Sequence, residues 1–251
     1  MNRRPDRALA ESAPKGEGWL LAAPAKAPAA PHHLGHRERL RDRAARGLDG
    51  LPDYELLELL LFRSLPQGDV KPMAKALLER FGGLAAVLSA RVEELRGVKG
   101  VGATVALDLK LLHEATLRIG RAAVAKRPVI SSWSALLSYV RTALAHEGRE
   151  QFRVLFLDKK NQLIADEVMN EGTVDHAPVY PREVARRALE LCASAIILVH
   201  NHPSGDPTPS AADVDMTRQV VEAGRTLRIA VHDHLVVGRD GVASFKALGL
   251  I

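Results

Sequence analysis

Residues 195–213 read AIILVHNHPSGDPTPSAAD, and this stretch decides the fold of the second half of the chain. Its first five residues form an apolar run that predicts a buried strand. The turn that follows is rich in Pro, Gly and Asp, and Ser210 is placed as a helix N-cap with Asp213 three residues later. The stretch therefore predicts a strand, a turn and a helix, with two histidines where the strand ends.

The two histidines and Asp213 are candidate metal ligands. His200 and His202 are two positions apart at a strand end, so both imidazoles can point to the same face of the strand. The turn can bring the Asp213 carboxylate back to them as a third ligand. Neutral imidazole suits zinc, and three protein ligands leave one position open for a water whose pKa is lowered to about 7. The pattern thus predicts a catalytic rather than a closed structural site.

Each part of this pattern has a simpler explanation when it stands alone. Ser210 and Asp213 have the spacing of a capping box, which satisfies backbone N–H groups at a helix start. A His-x-His pair can form local hydrogen bonds without any metal. Capping and metal binding can coexist, however, and the combined spacing of the four residues is far more specific than either part.

The segments around this stretch predict a mixed α/β second half, of the class α/β (α+β). A helix is expected from Ser131 or Ser132 to about Ala145, followed by paired strands at 152–157 and 162–169. Pro181 is expected to open a helix, and another is expected to run from Ser210 to about residue 227. Further strands are expected at 229–237 and 242–245. Cys192 falls on the apolar side of the helix after Pro181, which predicts a small core residue.

The first half is predicted to be helical and separate. Residues 1–36 are rich in Ala and Pro and lack an apolar period, which predicts a disordered tail. Leucines at helical spacing and glycine turns predict a domain of short helices over 37–121. We expect a linker at 122–128 and a second domain at 129–251.

A glycine-rich turn in the first half is a candidate phosphate-binding site. Residues 95–102 read LRGVKGVG and lead into an amphipathic helix. Backbone N–H groups at such a turn lie at the positive end of the helix dipole and can hold a phosphate oxygen, which makes candidates of Gly97, Lys99, Gly100 and Gly102. The turn resembles the helix-hairpin-helix family, which grips the nucleic-acid backbone without reading bases. The same glycines are also explained by a helix C-cap and a close helix contact, so a structural or protein-binding role stays open.

Composition and charge limit the class of protein. Hydrophobic residues make up 47% and charged residues 26%, which excludes a wholly disordered, collagenous or membrane-embedded chain. One cysteine excludes an internal disulfide framework and an all-thiolate zinc site and fits a reducing compartment, so we expect a cytoplasmic protein with no membrane partner. Residues 1–128 carry 22 Lys and Arg against 15 Asp and Glu, whereas residues 129–251 carry 13 against 15. A basic first half attracts polyanions, but its charge does not indicate which polyanion is bound.

The order His-x-His, seven residues, Ser, two residues, Asp is the JAMM motif of the MPN-domain metalloproteases. The longer string around it resembles the RadC family within them, and the resemblance covers Val129 to Ile251. RadC-like chains also carry a helix-hairpin-helix region ahead of this domain. The resemblance implies a cytidine-deaminase-like mixed sheet flanked by helices. Supporting segments are Glu150-Gln151-Phe152, Phe156-Leu157-Asp158, Glu171-Gly172-Thr173, Pro181-Arg182-Glu183, Asp233-His234 and Val236-Val237-Gly238.

The resemblance also implies roles for individual residues. His200, His202 and Asp213 would bind one Zn²⁺ per chain, and Ser210 would orient the site and support a tetrahedral intermediate. Asp233 and His234 would act as groups that orient the ligands. A packed strand end is the simpler explanation for this last pair.

The motif further implies an upstream glutamate that accepts a proton from the attacking water and later donates it to the leaving amine. We select Glu150, because it stands two residues before the strand that opens the sheet. Glu147 is the nearest rival. Glu167 and Glu171 become rivals if the strand register differs.

The predicted function is accordingly a zinc-dependent hydrolase of the JAMM type that acts on a peptide or protein substrate, at a peptide or isopeptide bond. The alternative is a DNA-binding, repair-associated accessory protein whose metal site is structural or idle. A nuclease or phosphodiesterase is disfavoured, because a single His₂Asp zinc site suits carbonyl hydrolysis better than two-metal phosphoryl displacement. The letters HNH also name an endonuclease class, but there the named residues are dispersed, so we reject that match.

Overall fold

The computed structural model describes residues 35–125, 128–171 and 179–251. The predicted tail lies outside these ranges up to residue 34, as do residues 126–127 of the predicted linker. Gly172 and Thr173, which supported the family resemblance, also lie outside them. In the part of the chain that is described, no helix has both the length and the hydropathy needed to cross a bilayer.

The first half folds as short helices around its own core. They are α1 (His36–Arg46), α2 (Asp53–Ser64), α3 (Lys71–Phe81), α4 (Leu84–Ser89), α5 (Val92–Arg96) and α6 (Ala103–Ala125). Leucines at helical spacing, including Leu57 and Leu61 on α2 and Leu77 on α3, form the buried cluster. Gly82 ends α3 in the left-handed conformation, which a glycine adopts without steric cost.

The second half is one mixed sheet between two layers of helix, which confirms the predicted α/β class. A 3-10 helix (Val129–Ser132) and α7 (Trp133–Leu144) precede β1 (Gln151–Leu157) and β2 (Leu163–Glu171). They are followed by α8 (Pro181–Glu190), β3 (Ala195–Asn201), α9 (Ala211–Thr226), β4 (Ala230–Val237) and β5 (Val242–Ser244). The described strands have the order β2-β1-β3-β4-β5, with β3 and β4 parallel and the other neighbours antiparallel.

Strand β3 is buried along its whole length and separates the two apolar layers. Ile197 and Val199 pack in the cluster that contains α7, whereas Ile196 and Leu198 pack in the cluster that contains α8 and α9. Because side chains alternate along a strand, His200 lies on the same face as Ile196 and Leu198, which is the face covered by α9.

Strand β4 contains one extra residue, which determines which of its polar side chains face α9. Ile196 pairs with Val231, but the next residue, Ile197, pairs with Asp233, so His232 is a β-bulge. Beyond the bulge, His234 pairs with Leu198 and therefore shares the α9 face. Asp233 shares the face of α7 instead.

Helix α6 belongs to both halves of the chain and extends into the predicted linker. It continues through Ala125, so residues 122–125 of the predicted linker are helical. Near its end Val124 is buried in the core of the second half, and Arg121 Nε donates to the Tyr139 hydroxyl at 3.2 Å. Gly120 lies within the helix, where its missing side chain leaves room for the Tyr139 ring.

Cys192 is exposed, so the prediction of a core cysteine is wrong. Helix α8 ends at Glu190, two residues earlier than its apolar pattern suggests. Cys192 follows in a turn with a φ of 53°, which directs its side chain to solvent.

The turn between β3 and α9 is irregular and is fastened to the residues that follow β4. His202 N donates to Val237 O at 2.9 Å, Asp240 N to Gly205 O at 3.2 Å, and Arg239 Nη2 to Ser204 O at 2.8 Å. Gly238 lies against this turn. A methyl group on it would overlap the Gly205 carbonyl oxygen and lie 3.0 Å from the Pro207 nitrogen.

We expect Gly238→Ala to lower the free energy of unfolding by about 1–3 kcal/mol, because two backbone segments must move apart to admit the methyl group. Gly241→Ala is the matched control, since a side chain there would meet open space. Urea unfolding of both variants checks this prediction. Equal stability of the two variants would contradict the close packing at Gly238.

Candidate metal centre

Three side chains converge where β3 ends and α9 begins. His200 Nε2 lies 3.0 Å from His202 Nε2 and 3.4 Å from Asp213 Oδ1. His202 Nε2 lies 3.5 Å from Asp213 Oδ2. One nitrogen or oxygen from each residue can therefore contribute to a single metal ion.

The spacing fits a tetrahedral zinc ion. Ligands about 2.0–2.1 Å from zinc at tetrahedral angles lie about 3.3 Å from each other. The observed separations of 3.0, 3.4 and 3.5 Å bracket that value. The donor types, two imidazoles and a carboxylate, are also those that zinc prefers. The His200 side chain is 1% exposed and those of His202 and Asp213 are 19% and 13% exposed, so solvent reaches the group from the side of the last two.

Ser210 holds the Asp213 carboxylate in place. The Ser210 N–H and hydroxyl both donate to Asp213 Oδ2, at 2.7 and 2.6 Å, and the Asp213 N–H reaches Ser210 Oγ at 3.2 Å. This is the reciprocal capping box that starts α9. Burial acts to raise the pKa of Asp213, but hydrogen bonds from His200, His202 and Ser210 outweigh it and hold this pKa far below its usual value. The carboxylate is therefore ionised.

A backbone carbonyl sets the orientation of His202. The Nδ1 atom of its ring lies 2.9 Å from the carbonyl oxygen of Asp206. A carbonyl can only accept, so Nδ1 carries a hydrogen and Nε2 is the nitrogen left for a metal ion. This is the nitrogen that faces Asp213.

His200 is oriented by a buried chain of hydrogen bonds. Its Nδ1 atom lies 2.7 Å from His234 Nε2, and His234 Nδ1 lies 2.6 Å from Thr217 Oγ1. Thr217 Oγ1 in turn donates to the Asp213 carbonyl oxygen at 2.5 Å. His234 and Thr217 are both completely buried.

The direction of each bond in this chain follows from the number of hydrogens. The Thr217 hydroxyl has one hydrogen, which goes to the Asp213 carbonyl, so His234 Nδ1 must be the donor to Thr217. Burial holds the pKa of His234 well below its usual value, so this imidazole is neutral and its Nε2 accepts from His200. Nε2 is therefore the His200 nitrogen that is left for a metal ion. The sequence analysis selected His234 but not Thr217. The position of Thr217 one helical turn after Asp213 could have indicated it.

Asp233 does not join this chain, because the bulge in β4 places it on the opposite face of the sheet. Its carboxylate accepts from the Ser244 hydroxyl at 2.5 Å and from the Lys246 N–H at 3.0 Å. These bonds hold β5 and the turn that follows it. In the structure Asp233 is thus part of a packed strand end.

The candidate glutamates differ in what their charges act on. The pKa of His202 is raised mainly by its hydrogen bond to Asp213 and in part by the negative charge of Glu150. The charge of Glu147 acts instead on Arg91 and Lys110 in the helical half. Glu167 forms a two-pronged ion pair with Arg187, at 2.6 Å for each bond. The side chain of Glu171 lies outside the described part of the structure.

Asn201, which the sequence analysis did not select, fastens the segment that carries Glu150. Its side chain is buried on the face of β3 opposite His200. Its amide donates to the carbonyl oxygens of Glu147 and Arg149, at 3.3 and 3.1 Å, and its oxygen accepts from Gln151 N at 2.9 Å. The feature of the sequence that could have identified Asn201 is its position, as a polar residue, between the two histidines.

The glycine-rich turn of the first half lies between α5 and α6. Gly97, Lys99, Gly100 and Gly102 are all exposed, and Gly100 has a φ of 90°. Gly97 N donates to the carbonyls of Glu93 and Glu94, which closes α5. Within the residues described, the N–H groups of Lys99, Gly100 and Gly102 show no hydrogen-bond acceptor.

A comparison with protein-family models identifies the second half of the chain. Residues 130–250 match the family described as RadC-like JAB domain. The match includes all three candidate ligands together with Ser210, Thr217 and His234. It begins after α6, so the short helices of the first half are outside it.

We expect Thr217→Val to weaken zinc binding by about tenfold or more, because His234 then loses its acceptor and no longer holds His200 in the required tautomer. Thr217→Ser keeps the hydroxyl and should bind zinc like the unaltered protein. Competition with a chromophoric chelator measures both affinities. Equal zinc affinity in the valine and serine variants would contradict the role of the hydroxyl.

Proposed function

Because residues 130–250 of this chain belong to the RadC-like JAB domain family, we propose that the protein is a zinc-dependent hydrolase of the JAMM type. The observation that carries the proposal is the set of His200, His202 and Asp213 ligand atoms, 3.0–3.5 Å apart, with the charge of Glu150 acting on His202. We propose a peptide or isopeptide bond as the bond that is cleaved.

Zinc held by these three residues would polarise the scissile carbonyl and lower the pKa of a water molecule. The two histidines supply unprotonated Nε2 atoms, and the capping box keeps the Asp213 carboxylate directed at them. Glu150 accepts the proton of the attacking water and donates it to the nitrogen of the leaving amine. The attacking oxygen first adds to the carbonyl carbon, and the carbon–nitrogen bond then breaks as the carbonyl double bond re-forms and the protonated amine leaves.

Ser210 is proposed to orient Asp213 throughout this reaction. Its hydroxyl donates to Asp213 Oδ2 at 2.6 Å, so it stabilises the ionised carboxylate. To support a tetrahedral intermediate as well, the hydroxyl must turn away from Asp213 toward the substrate oxygen. The Ser210 N–H to Asp213 bond at 2.7 Å would then keep the carboxylate in place.

Asn201 is proposed as a positioning residue for Glu150. Its three hydrogen bonds join the backbone of residues 147–151 to the strand that carries His200. A glutamate on an otherwise irregular segment is thus held at a constant distance from the metal position. Preorganisation of this kind lowers the reorganisation that the reaction requires.

Glu150→Gln should keep one zinc per chain and reduce turnover of a responsive fluorogenic peptide or isopeptide by about 10²–10⁴-fold, since glutamine cannot accept the proton. Glu147→Gln is the matched control and should keep both zinc and activity. Asp213→Ala should lose zinc and activity together. Elemental analysis and a substrate panel measure these outcomes. Failure of the unaltered protein to take up added zinc, or full activity of Glu150→Gln, would refute the proposed mechanism.

A second proposed function is non-specific contact of the helical half with DNA, which is also the basis of the alternative that this chain is an accessory protein. The observation that favours it is the exposed turn at 97–102, where the Lys99 side chain and three N–H groups without described acceptors precede α6. Such a turn offers a cation and backbone donors to a phosphate.

Lys99→Gln should weaken binding to a DNA duplex and reduce the slope of log K against log salt by about one, because one phosphate contact is lost. Lys159→Gln, in the exposed turn between β1 and β2, is the control and should bind like the unaltered protein. Fluorescence anisotropy over a salt series measures both. The contact is ruled out if the two variants bind DNA equally.

A further inference from the structure

A cavity lies where the helical half meets the JAB domain. Its volume is about 330 Å³, and it is enclosed by α4, α6, the end of α7 and the residues just after β4. The volume is at the lower end of the range for small-molecule pockets. This cavity does not include the candidate metal ligands.

The polar groups that line the cavity are cationic or neutral donors. Arg141 and Arg239 enter it from the JAB domain, and His113 enters it from α6. His146 and Ser89 also line it, together with Thr116 and Thr142, whose hydroxyls already donate to the carbonyl oxygens of Leu112 and Ser138. No carboxylate is among the residues that line it.

His113 is a buried polar side chain that lacks a partner. It is 8% exposed, and its ring makes no hydrogen bond with the residues described. Within the described ranges, the ring of His146 and the guanidinium of Arg141 also make no hydrogen bond. The ring nitrogens of His113 are not sealed from solvent, so they are free to bond to a ligand that enters the cavity.

The positive charges around the cavity disfavour the protonated form of its two histidines. Burial lowers the pKa of His113, and the charge of Lys110 lowers it further. Burial also lowers the pKa of His146, and the charges of Arg239 and Arg141 add to this effect. An anion in the cavity would offset these charges and favour the protonated imidazoles.

We propose that this cavity binds a phosphate group, as the free ion or as the end of a small phosphomonoester. Two guanidinium groups match the geometry of phosphate oxygens, and the two imidazoles add further donors. The remaining wall is apolar, from Ala85, Leu88 and Ala145, which suits the body of a nucleoside or sugar. The proposal is independent of the hydrolase activity.

Arg239 links this cavity to the metal centre. Its Nη2 atom donates to Ser204 O at 2.8 Å, in the turn that joins His202 to Ser210. A phosphate held by Arg239, Arg141 and His113 would also connect α6 with the JAB domain. Binding should therefore stabilise the junction between the two halves.

The test uses the full chain with inorganic phosphate, adenosine 5′-monophosphate and, as a reference, sodium chloride at equal ionic strength. Phosphate should raise the melting temperature and show saturable binding in calorimetry. Arg141→Gln should weaken binding by about tenfold or more, because a charged hydrogen bond is lost from an exposed residue that the fold does not need. Arg118→Gln, on the exposed side of α6, is the matched control and should bind like the unaltered protein.

The two ligands distinguish the source of the phosphate. Tighter binding of the monophosphate indicates a nucleotide or similar ester, whereas equal affinity indicates the free ion. His146→Gln serves as a second variant and should also weaken binding, even if Arg141→Gln proves unstable. The proposal is overturned if phosphate stabilises no more than chloride, or if both cavity variants bind phosphate as the Arg118 control does.

Discussion

The hydrogen bond between His200 and His234 is the constraint on which the rest of this structure depends. It joins two parallel strands at the centre of the sheet, and it continues through Thr217 to the backbone of α9. Each of these polar groups is buried, and each would be costly without its partner. The same bonds that satisfy the core therefore determine which nitrogen of His200 faces Asp213.

The second histidine is held by a different part of the protein. His202 lies in an irregular turn, and its ring orientation comes from the Asp206 carbonyl within that turn. The turn itself is rigid because the residues after β4 fasten it at Ser204 and Gly205. One ligand is thus positioned by the sheet and the other by a loop. Gly238 affects the loop, because its backbone packs against Gly205 in that turn.

Much of the architecture could be predicted from local patterns. The start of α8 matches the sequence prediction, because Pro181 acts on the backbone at that position. The prediction for Cys192 was wrong, and α6 extends into the predicted linker, for a common reason. Whether a helix continues depends on what its last turn packs against, and α6 continues because Tyr139 and the second core cover it.

The sequence by itself determined the class of the fold and the group of His200, His202, Ser210 and Asp213, because strand alternation and helix capping act over a few residues. Only the tertiary structure decided which of Asp233 and His234 faces the site, since one bulge residue in β4 exchanges the two faces of the strand. It also revealed Thr217 and Asn201, whose bonds to distant segments leave no local pattern. The phosphate cavity depends on the tertiary structure in the same way, because its lining residues come from four segments that meet only when the two halves pack together.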